Sequence, residues 1–331
     1  MNPSQNLLVL YTGGTIGMEM SEAGLAPASG FGARLQSEQA LHPERPAPAW
    51  QLRELSPPID SANMRQENWL AMRDAIVQAV DEDGFDAVLL LHGTDTLAYS
   101  AAALSFLLLG IKVPVLLTGS MLPAGSPGSD AWPNLFGALA ALHEGCLPGV
   151  HLYFDGQLLH GARASKLKSE AFDAFSNMAR PRHGTRAEQL PAALHYRQPR
   201  QPVTLALLPL FPGLSAAQLR ATLAGDVRGV LLECYGSGTG PSDDADFLAA
   251  LAEARARGVV LAAISQCPLG HVDFEVYAAG SALAEAGLVS GGGMTREAAL
   301  GKLFALLGAG LEPAEVERLF ALDLCGESAG S

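Results

Sequence analysis

Thr12-Gly13-Gly14-Thr15-Ile16-Gly17 closes an apolar run, Leu7-Leu8-Val9-Leu10-Tyr11. A hydroxyl beside residues that lack Cβ suits acyl transfer. The hydroxyl attacks, and bare backbone N–H groups receive the developing oxyanion. The spacing excludes two phosphate-binding turns: the third glycine of a dinucleotide fingerprint is out of place, and no Gly-Lys-Ser/Thr follows. Taken alone, the segment reads equally well as a plain strand end. His92-Gly93-Thr94-Asp95-Thr96 repeats the pattern after Ala87-Val88-Leu89-Leu90-Leu91, and Thr118-Gly119-Ser120 repeats it again. Asp95 precedes an apolar helical segment over 97–109, so its plainest role is a helix cap. A threonine nucleophile needs a neighbour to take its proton. None of the eight histidines has an obvious place for that. Lys166, in Gly161-Ala162-Arg163-Ala164-Ser165-Lys166, is preferred to Lys168. A lysine can act as base where burial and neighbours lower its pKa; an ordinary surface lysine is the competing reading.

Elements that could position these groups follow from periodicity. Short apolar runs alternate with helical segments up to about residue 175, which implies a parallel sheet with crossover helices. Helices are expected over 67–80, 97–109 and 134–143, and a mobile loop over 18–29. A Pro- and Arg-rich stretch over 181–202 reads as a linker. It would divide an N-terminal α/β domain (1–180), with a mainly parallel sheet flanked by helices, from a smaller C-terminal α/β domain (203–331). In the latter, strands are expected over 203–210, 227–234 and 259–265, with helices over 243–257, 295–307 and 313–322.

With those residues in place, the chain resembles the bacterial L-asparaginases. Thr12-Gly13-Gly14-Thr15-Ile16, His92-Gly93-Thr94-Asp95-Thr96 and Arg163-Ala164-Ser165-Lys166 look like that family's three catalytic motifs, in the same order and at similar spacing. Tyr11, Asp60-Ser61 and Phe172-Asp173-Ala174-Phe175 are similar to the cytoplasmic, type I branch. The likeness continues through Ser265-Gln266-Cys267 and Gly293-Met294-Thr295-Arg296-Glu297-Ala298. The resemblance implies hydrolysis of L-asparagine to L-aspartate and ammonia, without metal or organic cofactor. Thr15 would be the nucleophile that forms an acyl-enzyme. Thr94, Lys166 and Asp95 would be a second set of hydroxyl, base and orienting carboxylate. Asp60, Ser61 and Ala62 would lie along the substrate's α-carboxylate and α-amino end, Asp95 would also hold the α-ammonium, and the backbone at Ser120 would face the scissile amide. The resemblance further implies a homodimer or homotetramer.

The chain departs from the family at several places. Leu25 stands where a lid tyrosine is common, Asn63 where an aspartate precedes Met64, and Thr239 closes a Gly-x-Gly segment that ends in asparagine in relatives. A separate effector site of some relatives matches Ser165 and Cys267, but its arginine position falls near Glu233. That reversal of charge argues against activation by asparagine. An amidase for glutamine or another amide, and a sensor that binds amino acids without turnover, are the alternative functions. A net charge of −13 argues against nucleic-acid and anionic-membrane partners. No apolar run is long enough to span a bilayer, and the segment before the first strand has no basic n-region, which suggests the cytoplasm. The four cysteines lack metal-ligand spacing, and Cys234 and Cys267 are expected to be buried thiols.

Overall fold

The run that ends in the first glycine pair forms β1 (Asn6–Gly13), buried from Leu7 onward. A strand apolar on both faces belongs inside a parallel sheet covered on both sides. The computed structural model, which describes residues 4–21, 24–27, 30–178 and 184–328, places it there. The chain divides into two compact units, Met1–Asn177 and Met178–Ser331.

In the first unit, β1 is followed by a hairpin of β2 (Met18–Ser21) and β3 (Gly24–Pro27), then α1 (Phe31–Leu41) and β4 (Ala49–Ile59). Next come α2 (Gln66–Asp81), β5 (Ala87–Leu91), α3 (Leu97–Leu107), β6 (Pro114–Thr118), α4 (Ala131–Glu144), β7 (Gly149–Phe154) and β8 (Gln157–His160). The sheet order is β4-β1-β5-β6-β7-β8, parallel except for β8. A ribbon of β9 (Ala164–Lys166) and β10 (Phe175–Asn177) follows. On one face, Leu7, Val9, Leu89 and Leu91 join Phe31 and Leu35 of α1 and Leu135 and Leu139 of α4 in one core. α3 packs against β6 and β7, with α2 beside it. Nearly every residue of α3 is buried, which is why its sequence is apolar all round rather than striped. From β1 the chain crosses to β4 on one side, and from β5 to β6 on the other. The connections diverge outside the carboxyl ends of β1 and β5. Such a switch point is where open α/β sheets bind ligands.

The second unit contains β11 (Leu205–Pro209), α5 (Ala216–Thr222), β12 (Gly229–Cys234), α6 (Ala245–Ala256), β13 (Val260–Ser265), α7 (Ala278–Glu285), β14 (Leu288–Ser290), α8 (Arg296–Gly308) and α9 (Pro313–Ala321). Its four strands form one parallel sheet in sequential order. The stretch 184–202 is tied into this unit. Gly184 N–H donates to Ser328 O at 3.0 Å, Ala187 N–H to Asp323 O at 2.8 Å, and Gln201 N–H to Gly308 O at 3.0 Å. Lys302 of α8 is wholly buried, and its ammonium donates to Glu327 at 2.7 Å, to Phe320 O at 3.0 Å and to Leu322 O. Glu327 also accepts from the N–H groups of Leu324 and Cys325, at 2.9 and 2.8 Å.

The segment 18–29, expected as a loop, carries the β2–β3 hairpin among its described residues. Residues 22, 23, 28 and 29, and the side chain of Leu25, lie outside the described residues. The edge strand β4 was not expected. It is charged, largely exposed and ends near Pro57 and Pro58, and proline in a strand reads as an edge or as no strand at all.

Candidate active site

Three strand ends meet through bare backbone. A Cβ on Gly14 would lie 2.3 Å from Gly93 N, and one on Gly93 would lie 2.4 Å from Ser61 Oγ. Gly14 also has φ 90°, a conformation that side chains disfavour. The glycines are therefore required where the ends of β1, β5 and β4 press together. Thr15, directly after Gly14, opens a 3-10 turn over Thr15–Gly17 and is half-buried. Thr94, directly after Gly93, is buried. The two threonines of the first motif separate by role. Thr12 donates its hydroxyl to Leu91 O at 2.8 Å and pins β1 to β5.

Lys166 comes from the β9–β10 ribbon, where it pairs with Phe175, whose ring packs on Phe154 at 4.7 Å. Its Nζ donates to Thr94 Oγ1 and to Asp95 Oδ1, both at 3.0 Å. The lysine side chain is 20% exposed and that of Asp95 64%. Asp95 does not cap α3. The N-cap is Thr96, whose hydroxyl donates to Ser61 O at 2.9 Å. The carboxylate thus holds the lysine instead of the helix end.

The remaining expected residues surround this cluster. Asp60 follows β4, and its carboxylate accepts from Ala62 N–H at 3.2 Å and from the Asn63 side chain at 3.4 Å. An amide at 63 pairs with Asp60, whereas a carboxylate there would repel it. Ser120 is buried and its hydroxyl donates to Leu122 O at 2.6 Å. Its neighbour Gly119 abuts the β5 end, since a Cβ there would lie 2.2 Å from His92 O.

The sequence reading missed the groups behind this shell. The buried Asp130 accepts from Met121 N–H at 2.9 and 3.0 Å and from Leu122 N–H at 3.1 Å. Asn134 donates to Asp130 at 3.0 Å and to Gly119 O at 3.1 Å, and accepts from Asp155 N–H at 2.9 Å. Two polar residues four apart at the start of an apolar helix were the available signal. Behind Thr94, Trp69 Nε1–H donates to Ser100 Oγ at 2.9 Å, Ser100 Oγ is 2.8 Å from His92 Nε2, and His92 Nδ1 is 2.7 Å from Gly93 O. A neutral imidazole satisfies this chain, with Nδ1–H donating to Gly93 O and Nε2 accepting from Ser100. Burial pushes the His92 pKa down to about 4, which keeps the ring neutral.

Of the three residues matched to an effector site, Ser165 lies in the first unit, in β9, and Glu233 in β12 and Cys267 after β13 lie in the second. Glu233 is buried and takes a bidentate pair from Arg296 at the start of α8, at 2.6 and 2.9 Å. Cys234 is a buried thiol with its pKa pushed up to about 12 by desolvation. Cys267, expected to be buried, is exposed because β13 ends two residues before it. Thr239 closes a tight turn, bridging to Tyr235.

A lysine held between a hydroxyl and a carboxylate, at the switch point of a parallel sheet, is the arrangement of an α/β enzyme site. Residues 6–199 match the family model "Asparaginase, N-terminal", and residues 204–320 match "Glutaminase/Asparaginase C-terminal domain". The chain belongs to the asparaginase family. It is 38% identical to L-asparaginase 1 of Escherichia coli K12, covering 98% of both chains. It is 35% identical to the L-asparaginase of Thermococcus kodakarensis, covering 98% of this chain and 99% of that one. The crystal structure of L-asparaginase I from Vibrio cholerae superposes with a TM-score of 0.85 at 33% identity, covering 99% of this chain and all of that one. Among the described residues, no helix is long and apolar enough to cross a membrane.

Proposed function

We propose that this chain hydrolyses L-asparagine to L-aspartate and ammonia, with Thr15 as nucleophile and Thr94, Lys166 and Asp95 as the set that moves the protons. One observation carries the reading: Lys166 Nζ stands 3.0 Å from both Thr94 Oγ1 and Asp95 Oδ1. The L-asparaginase names of the relatives support the substrate.

In the first half-reaction Thr15 Oγ attacks the side-chain amide carbon. The O–C bond forms, the C–N bond breaks, and the threonine's proton leaves with the nitrogen as ammonia. In the second, a water that passes its proton towards Thr94 and Lys166 cleaves the ester and returns the hydroxyl to Thr15. Asp60, Ser61 and Ala62 lie along the α-carboxylate and α-amino end, Asp95 also holds the α-ammonium, and the backbone at Ser120 faces the scissile amide. Leu25 is assigned to a lid. The setting is assigned to the cytoplasm and the assembly to a homodimer or homotetramer. Exposed Leu269, Val276 and Tyr277 support a covered face on the second unit.

The test is ammonia release over a panel of L-asparagine, D-asparagine and L-glutamine. L-Asparagine should be turned over fastest, and release from none of them overturns the reading.

A further inference from the structure

Tyr11 ends the apolar run of β1 and is wholly buried. Its ring stacks on Phe31 with centroids 5.3 Å apart and planes within 9°, and Phe31 stacks on Trp132 at 6.0 Å. This stack fixes the ring and aims the hydroxyl at the Thr15–Gly17 turn. A Cβ on Gly17 would lie 2.1 Å from the phenolic oxygen, so only glycine admits it. Yet that oxygen has no hydrogen-bond partner among the described residues. Arg34 of α1 reaches the same turn. Its Nη2 donates to Gly17 O at 3.0 Å and its Nη1 is 3.1 Å from Glu19 Oε1, while its Nε also lacks a partner among the described residues.

A buried phenol stripped of water and left unpaired is costly to a native state. Phenylalanine would fill the same stack without that cost. The hydroxyl is accounted for if a second position of the turn uses it.

We propose that Tyr11 is a positioning residue for the nucleophile turn: on substrate binding the turn shifts, Gly17 O accepts from the Tyr11 hydroxyl, and Thr15 is fixed at the reacting centre. The carbonyl can accept this bond beside the one from Arg34, because it has two lone pairs. The proposal rests on Thr15 being the nucleophile.

Tyr11→Phe tests it. With asparagine, kcat should fall by about tenfold, the effect of one neutral hydrogen bond lost in the transition state, with KM nearly unchanged. The Tm of the free enzyme should stay equal or rise, because an unpaired polar group has gone. An unchanged kcat, or a loss accompanied by a lower Tm, overturns the proposal; the latter would mark a mere packing role. The Tm shift produced by L-aspartate is a readout that needs no turnover, and it should be smaller in Tyr11→Phe. If the wild type is stabilised by L-aspartate but releases no ammonia, the hydrolase reading fails and this shift alone decides, an equal shift in both proteins overturning the role given to Tyr11. No shift and no ammonia overturns both.

Discussion

At the scale of single residues, the proposed mechanism separates groups that handle protons from groups that hold the frame. Thr15→Val and Thr94→Val should each lower kcat by about 10²–10⁴, as expected when a group in direct attack or proton transfer is removed. The double variant should lose far less than the product of the two, because groups that act as a unit are not additive. Steady-state ammonia release measures both, and near-normal turnover by Thr15→Val would move the nucleophile to Thr94. Lys166→Met should abolish turnover while the thermal unfolding curve stays close to wild type, since the lysine's two bonds both belong to the site. The buried histidine gives a different signature. His92 is neutral in the fold down to about pH 4, whereas an unfolded histidine gains its proton near 6.5. Between those values the unfolded state binds more protons, so stability falls as pH drops through the window, by up to about 3 kcal/mol in total. Tm measured from pH 7 to pH 4 should show that decline, and His92→Gln should flatten it.

At the scale of elements, each motif was legible where chemistry and topology coincided. The ends of β1, β5 and β6 announced themselves as apolar runs closed by glycine and a hydroxyl residue, and Lys166 was preferred to Lys168 as a base, with an ordinary surface lysine as the competing reading. The sheet interior was legible because strands covered on both faces have nothing but apolar residues. The hidden parts were those whose sequence serves an edge or a loop. β4 is charged and proline-rich, so nothing in its pattern set it apart from a coil, although it delivers Asp60 and Ser61. Asp130 and Asn134 were missed because a carboxylate gripping loop N–H groups looks, in sequence, like a helix cap. Their grip predicts a graded effect. Asn134→Ala should lower kcat by about tenfold, the loss of the one hydrogen bond by which Asn134 holds Gly119 O beside Ser120. A variant with normal kcat and KM would show that this loop is set by other contacts.

At the scale of the whole molecule, two charge pairs in the second unit carry opposite lessons. Glu233 is already engaged by Arg296, so an amino-acid carboxylate would have to displace a buried bidentate partner to bind there. Rate against asparagine concentration should therefore be hyperbolic, with a Hill coefficient near one, and a sigmoidal curve would show that an effector uses other groups. For Glu327, burial raises the carboxyl pKa, but Lys302 and hydrogen bonds outweigh it and leave it at about 2. Glu327→Gln would leave the Lys302 ammonium buried without its counter-charge, a loss of about 3–5 kcal/mol. Urea unfolding should show it, and adding Lys302→Met should restore part of it. The clasp also bears on synthesis. A nascent chain emerges N-terminus first, and its domains fold as units in that order. The strands of residues 1–177 are complete early, whereas an ammonium bound for a dry interior must wait in water until residue 327 has been made. Released chains truncated just before that residue should accordingly be nicked by protease throughout the later unit while the earlier one resists, so its maturation waits on its last turns.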